Sequence, residues 1–420
     1  MSNQGNNARQ LLIAALLIIM GGVVGYKLRG NENIPGVSAL LSAGKQVKVQ
    51  NVKQPTEYEN IDFGQFWEVW KILEESYIEP QKIMPDEMVY GAIQGMTASL
   101  EDPYTMFLPP EEQQRSQEDL SGSFYGVGIQ LGYIDNTLAV TAPLAGSPAE
   151  AAGVKAKDLI IRVKDEKIDK ETQGWTLSEA VNNIRGERGT KVTLTLLRRS
   201  ENLSEASKPF EVTLTRDEIV VPSAELKYID LPNGKKAAHI ILTRFGDRTD
   251  AELDEAIKSI NAQSGQIQGI VLDMRNNPGG YLDGAVTVAS EFIDDGVIVT
   301  QKGRTSSKDY EARGEARLAQ YPVEVIVNGG SASAAEIVAG ALRDRRNAKL
   351  IGEKTFGKGT VQDAVRLSSG AGLHVTVAKW ILPNGDWIQE TGIPVNVEVQ
   401  DDPNTEVDEV IEKAKEELVK

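Results

Sequence analysis

The stretch Asn328-Gly-Gly-Ser-Ala-Ser-Ala-Ala-Glu336 follows an apolar run at 323–327 and leads into Ile337, Val338 and Leu342 at helical spacing. It reads as strand, tight turn and helix. A serine in such a turn stands exposed at the edge of a sheet, with the first amides of a helix beside it. A second stretch, Gly352-Glu-Lys-Thr-Phe-Gly-Lys-Gly-Thr-Val-Gln362, sets Lys358 between two glycines. Serine with lysine is one of the few ways to run acyl transfer without histidine. An alternative of that kind is needed here, because the chain has no cysteine and only His239 and His374. Together the two stretches read as a serine hydrolase site with a Ser-Lys dyad.

Outward from these stretches, strands and helices alternate. From Phe210 on, the pattern predicts strands at 237–243, 267–274, 323–327, 360–366 and 374–380, and helices at 251–260, 284–292 and 334–343. That alternation implies an α/β core over 206–400. Residues 116–205 read as a separate module of short strands, opened by Tyr125-Gly-Val-Gly-Ile129 and carrying Gly146-Ser-Pro-Ala149 and Arg185-Gly-Glu-Arg-Gly189. The order of its signals resembles a PDZ domain. That resemblance implies that Gly126, Val127, Gly128 and Ile129 present backbone amides to the terminal carboxylate of a peptide, which then adds as a strand at the sheet edge. A lone Gly-x-Gly is otherwise an ordinary turn.

The N-terminal part is helical over 61–115, with stripes at Phe66, Val69, Ile72 and Leu73 and at Met88, Ala92, Met96 and Leu100, ended by Asp102-Pro103. Residues 27–60 are polar with Pro35 and Pro55 and read as a linker. Residues 10–26 carry no charge and have the length of a short spanning helix, about 17 to 25 residues. They read as an uncleaved membrane anchor, with a removed signal peptide as the competing reading. The tail 401–420, with Val407, Val410, Ile411 and Leu418 among charges, reads as an amphipathic helix and a candidate dimer contact.

Charge and composition narrow the function. A net charge of −16 argues against a nucleic-acid partner, which needs basic surface. Without cysteine there are no disulfides, thiolate metal sites or thiol nucleophiles, and two distant histidines do not make a metal site. No metal and no cofactor are expected.

Three stretches carry a more specific resemblance: Asp273-Met-Arg-Asn-Asn-Pro-Gly-Gly280, Gly330-Ser-Ala-Ser-Ala-Ala-Glu336 and Gly357-Lys-Gly-Thr-Val-Gln362. With Trp67-Glu-Val-Trp70 and Asp102-Pro-Tyr-Thr105, they resemble the carboxyl-terminal processing peptidases, or tail-specific proteases, over 63–399. The resemblance implies an α/β crotonase-like, Clp-protease-like peptidase core with an inserted PDZ domain and an N-terminal helical region. It implies Ser333, rather than Ser331, as nucleophile, Lys358 as general base and Gln362 as the third member. Backbone amides of Gly279, preferred over Gly280, and of Ala334 would hold the oxyanion. The implied activity is endoproteolysis of protein or peptide substrates with accessible C-termini, on the extracytoplasmic side of the cytoplasmic membrane, by a homodimer.

Blander readings stand beside these. Ser333 with Glu336 fits a capping box, Lys358 a surface lysine in a glycine turn, Gln362 a solvated side chain, and Gly279 and Gly280 plain turn residues. Gly352 to Lys358 also matches the first seven positions of a P-loop, but Gly359 stands where Ser or Thr should, and a strand follows instead of a helix. A membrane-tethered PDZ scaffold with an inactive peptidase core is the non-enzymatic alternative.

Overall fold

A computed structural model describes residues 58, 60–198, 208–402, 405 and 407–420. The expected anchor at 10–26 and nearly all of the 27–60 linker lie outside the described residues. Among the described residues, no helix is long and apolar enough to cross a membrane. The chain divides into two compact units, residues 1–89 and 90–420. In the first, helix Gly64–Ser76 stacks Phe66, Trp67 and Trp70 against one another, with ring centroids 5.0 to 6.0 Å apart.

The second unit is built on a six-stranded sheet. Its strands are Ala224–Asp230, Lys236–Leu242, Ile267–Asp273, Val323–Val327, Leu350–Gly352 and Val397–Glu398, in that spatial order. The first pair is antiparallel and every later pair is parallel. Parallel strands are covered on both faces and so are apolar throughout. In Val323–Val327 every residue is buried and all but Glu324 are apolar. Alternation along the strands assigns each side chain to a face. Ile270, Leu272, Val325 and Val327 pack with the helices Thr249–Ala262, Leu282–Ser290 and Ala334–Arg346. Ala237, Val271, Ile326 and Ile351 pack on the opposite face with Val410, Ala414 and Leu418 of helix Glu409–Leu418. The tail helix, expected as a dimer contact, thus turns its apolar stripe onto its own sheet.

A second sheet joins Met106–Leu108, Gly372–Ile381, Val297–Gly303 and Ser307–Glu311, with Thr360–Arg366 also paired to Gly372–Ile381. The segment that follows Lys358 is therefore a strand, as its sequence suggests. The short strand Met106–Leu108 belongs to this sheet, so the core recruits residues that read as part of the N-terminal helical region.

The inserted module is a sheet in the order Ile129–Ile134, Thr137–Pro143, Leu159–Lys164, Lys191–Leu197 and Phe210–Thr215, with Asp169–Glu171 beside the third strand. Its helix Leu177–Ile184 begins with a complete capping box between Thr176 and Glu179. A two-stranded ribbon, Ser123–Gly126 with Asp217–Val220, forms the stem where the module enters and leaves. The module's sheet runs to Thr215, beyond the boundary expected at 205. Phe210–Thr215 pairs in register with Lys191–Leu197, and its Leu214 enters the module core.

Candidate active site

In parallel sheets, ligands gather beyond the carboxyl ends of the strands. Ile267–Asp273 and Val323–Val327 end side by side there, and the turns that follow them, 274–281 and 328–333, build the site together. Asn328 joins the two turns: its Oδ1 accepts from the Asn276 amide at 2.9 Å, and its Nδ2 donates to Asn276 Oδ1 at 3.1 Å.

The two serines of the turn have different fates. Ser331 is 0% exposed; its hydroxyl donates to Met274 O at 2.7 Å and accepts from the Asn328 amide at 3.0 Å. It bonds the two turns together. Ser333 is half-buried and lines a cleft of ≈ 860 Å³. Its φ of 55° and ψ of −114° place it at a strained corner that turns strand into helix. Strain of this kind projects a side chain outward from a strand-to-helix turn.

The cap on this helix does more than the sequence pattern implies. Glu336 is 0% exposed, and its carboxylate accepts four hydrogen bonds. Oε2 takes the amides of Ser333 at 2.8 Å and Lys358 at 2.9 Å. Oε1 takes the Thr355 hydroxyl at 2.6 Å and the Gly357 amide at 2.7 Å. Burial pushes this carboxyl up, against those hydrogen bonds. One carboxylate thus fastens the serine turn to the lysine turn.

Gly357, at φ 94°, packs so closely on the segment after the last long strand that a Cβ would come within 2.7 Å of Gly392 N. Gly359 meets Trp387 Nε1 at the same distance. Both glycines are needed to bring Lys358 to the cleft. Burial draws the Lys358 amine below its usual range, opposed by Asp102 and Glu336. The amine lies 4.9 Å from the centroid of the Tyr104 ring. Lys358 and Ser333 line the same cleft without a hydrogen bond between their side chains.

Gln362 lines this cleft too, and its Nε2 donates to Thr360 Oγ1 at 2.9 Å and Thr376 Oγ1 at 3.1 Å. Ala334 opens the helix, so its amide has no acceptor within the helix. Gly279, at φ 101°, lies against Ser333: a Cβ would come within 2.8 Å of Ser333 Cβ. Its amide donates to Asn277 Oδ1 at 2.9 Å. Gly280, at φ 138°, is held against Phe245, whose carbonyl a Cβ would meet at 2.0 Å.

The structure thus brings Ser333, Lys358, Gln362, Gly279 and Ala334 to one cleft. It also adds residues that sequence reading gave no role. Asp102 and Tyr104 approach Lys358 from the loop before Met106–Leu108. His374 lines the cleft, and burial and then Lys358 hold its pKa down. His239 is buried elsewhere, 3.2 Å from Asp273 Oδ2. The Asp102-Pro-Tyr-Thr105 motif was the available signal for the loop, but nothing in it points to a lysine so far along the chain.

In the inserted module, Gly126, Val127 and Gly128 are buried and Ile129 opens an edge strand. The Gly128 carbonyl accepts from the Leu144 amide at 2.9 Å and the Ser147 hydroxyl at 3.1 Å, fixing the turn. The free edge of Ile129–Ile134 lies near helix Leu177–Ile184.

Comparison with known proteins agrees with this architecture. Residues 236–399 match peptidase family S41, 25–112 match the activating protease CtpB N-terminal domain, and 113–197 match a PDZ domain. The chain is 39% identical over 321 residues to the carboxy-terminal processing protease CtpA of Bacillus subtilis (strain 168), covering 76% of this chain. It spans 66% of that relative's length, just under two thirds. The photosystem II D1 C-terminal processing protease is 30% identical, over 80% of this chain and 92% of its own, with a TM-score of 0.49. The solved structure of an S41-type protease from Bacteroides fragilis NCTC 9343 is 19% identical, with a TM-score of 0.53, covering 83% of this chain and 92% of its own.

Proposed function

The chain belongs to peptidase family S41, and from that premise we propose that it is a serine endopeptidase with a Ser-Lys dyad that cleaves proteins near their C-termini. The observation that carries the reading is the sorting of the two serines. Ser331 is locked between two backbone groups, whereas Ser333 stands at a strained corner in the cleft that Lys358 also lines.

In this mechanism Lys358 takes the proton from Ser333 Oγ as the oxygen attacks the scissile carbonyl. The Ala334 amide and the Gly279 amide hold the oxyanion. To do so, the Gly279 amide turns from Asn277 Oδ1, so that half of the oxyanion site forms as substrate arrives. The lysine ammonium then protonates the leaving amine, and water resolves the acyl-enzyme. With its Nε2 on Thr360 and Thr376, Gln362 has its carbonyl oxygen left to orient the amine. Because burial lowers the Lys358 pKa, the free base forms at lower pH than for an exposed lysine, and rate rises with pH through that value.

The inserted module captures the substrate's C-terminus at the Gly126 to Ile129 turn and pairs the chain with the Ile129–Ile134 edge. Residues 10–26 tether the enzyme to the cytoplasmic membrane, with its site on the extracytoplasmic side, and the working form is a homodimer. A bare PDZ scaffold is disfavoured by the shared cleft and by the relationship to a processing protease.

Labelling with a fluorophosphonate probe and cleavage of an unfolded protein test the reading. Ser333→Ala should lose both while remaining folded, Ser331→Ala should keep its nucleophile at a cost in stability, and Lys358→Arg should be nearly inactive because guanidinium keeps its proton. Wild-type cleavage by folded Ser333→Ala would overturn the assignment.

A further inference from the structure

The lysine is held from behind by a loop that carries no role in the mechanism above. Lys358 Nζ lies over the Tyr104 ring, 4.9 Å from its centroid, within cation–π range. Asp102 accepts from the Tyr104 amide at 3.0 Å and from the Thr105 hydroxyl at 2.7 Å, which fixes its carboxylate within the same turn. Thr105 Oγ1 accepts from the Thr376 amide at 3.0 Å, and the Thr376 hydroxyl accepts from Gln362 at 3.1 Å. The loop is thereby bonded to strand Gly372–Ile381, which pairs with the strand that carries Gln362. Neither Asp102 nor Tyr104 lines the cleft, so each acts on substrate only through Lys358.

We propose that the loop Asp102 to Thr105 is a positioning element for the catalytic amine: the Tyr104 ring seats the ammonium in the resting enzyme, and Asp102 supplies its counter-charge. The inference rests on the Ser-Lys reading. It accounts for an amine that shares the cleft with Ser333 yet is not bonded to it. To act as base, Lys358 leaves the ring as it loses its proton, since a neutral amine is no longer attracted to the ring face.

The charged and titratable groups facing the amine are few. Asp102 comes from this loop and Glu336 from the helix after Ser333; both favour the ammonium. His374 comes from strand Gly372–Ile381, and Lys358 disfavours its protonation. Glu390 acts on Tyr104 from the segment beyond that strand. Burial and then Lys358 keep His374 below its usual range, so a labelling midpoint above that range is not its own.

The experiment is the pH dependence of Ser333 labelling by a fluorophosphonate in the full chain, which reads nucleophile activation without needing the natural substrate. Asp102→Asn removes an anion, so the amine loses its proton more readily and the labelling midpoint should move to lower pH. Tyr104→Leu keeps apolar cover but removes the ring face, and should move the midpoint the same way. Tyr104→Phe keeps the ring and should leave it unmoved. A merely structural loop would reduce labelling at every pH with a fixed midpoint. Midpoints unmoved or raised in both Asp102→Asn and Tyr104→Leu overturn the proposal; if Asp102→Asn does not fold, Tyr104→Leu decides alone. The two readings fail differently: Lys358→Arg labelled at the wild-type rate removes the dyad itself. An unlabelled Lys358→Arg with fixed midpoints in the loop variants removes only the loop's role.

Discussion

Glu336 shows how much a single buried side chain organises here. Its two oxygens satisfy the amides of Ser333, Gly357 and Lys358 and the Thr355 hydroxyl, two of these bonds buried and two partly so. A buried carboxylate is costly unless hydrogen-bonded, and this one is saturated. Glu336→Gln keeps one acceptor oxygen and sets an NH2 group against donors it cannot accept. Each donor left buried without a partner costs about 1–3 kcal/mol. We expect a clear drop in the urea midpoint and a fall in kcat/KM of about tenfold or more, since each 1.4 kcal/mol is a factor of ten. Unchanged stability and rate in Glu336→Gln would show that the two turns hold their places without it. The Ser333 and Glu336 pairing was legible in the sequence because a capping box spans three residues. The bonds to Gly357 and Lys358 were not, because the chain that separates them supplies no periodic signal. The preference for Gly279 met a similar limit: its place beside Ser333 was legible, but its hydrogen bond to Asn277 was not.

At the scale of elements, legibility was uneven. Val323–Val327 and Thr360–Arg366 match their expected bounds, the first because a doubly covered parallel strand is mostly apolar, here at every position but Glu324. The hairpin Val297–Gly303 with Ser307–Glu311 gave no clear reading, since its second strand is mostly exposed and charged. Reading the α/β alternation from Phe210 on places Phe210–Thr215 in the core, yet its partner is Lys191–Leu197. In the proposed function the substrate pairs with the edge strand Ile129–Ile134, whose opening turn is held by Ser147. At Gly128, φ is +72° and a Cβ would lie 2.2 Å from Ser147 Cβ, so substitution there disturbs the fold as well as binding. Changing the ligand is the cleaner test. A peptide with a free C-terminus should bind the intact protein about tenfold or more tightly than its C-terminal amide, because a charge-assisted hydrogen bond contributes about 1.5–3 kcal/mol. Calorimetry with the Ser333→Ala variant avoids cleavage during the titration. Equal affinities for acid and amide would show that the turn does not read chain ends.

For the whole molecule, the tail helix Glu409–Leu418 closes the back of the sheet that carries the site. Asp408 caps it by accepting from the Ile411 amide at 2.9 Å, and Arg275 bridges Asp408 to Asp273 at 2.8 and 2.7 Å. Asp273 ends the strand from which the Gly279 turn departs, so the helix is tied to the root of that turn. Burial raises the Asp273 pKa, but the hydrogen bonds from His239 and Arg275 outweigh it and hold the group low. A carboxyl so depressed stabilises the fold above its unfolded value and loses that contribution as pH falls through the folded one. The amphipathic pattern was legible in the sequence; the partner of its apolar face was not, because a stripe of Val410, Ala414 and Leu418 serves a sheet or a second chain equally well. The structure sets Leu418, 7% exposed, against Gly269, where a Cβ would come within 2.9 Å of Leu418 Cδ2. Leu418→Ala should therefore destabilise the chain by about 2–5 kcal/mol, the range for a buried leucine, nearer the lower end because this one is not fully covered. Chemical denaturation at two protein concentrations checks this. An intramolecular contact lowers the midpoint equally at both. A subunit contact makes the loss depend on concentration and appears as dissociation in size-exclusion chromatography, and that result would return the helix to the role its sequence first suggested.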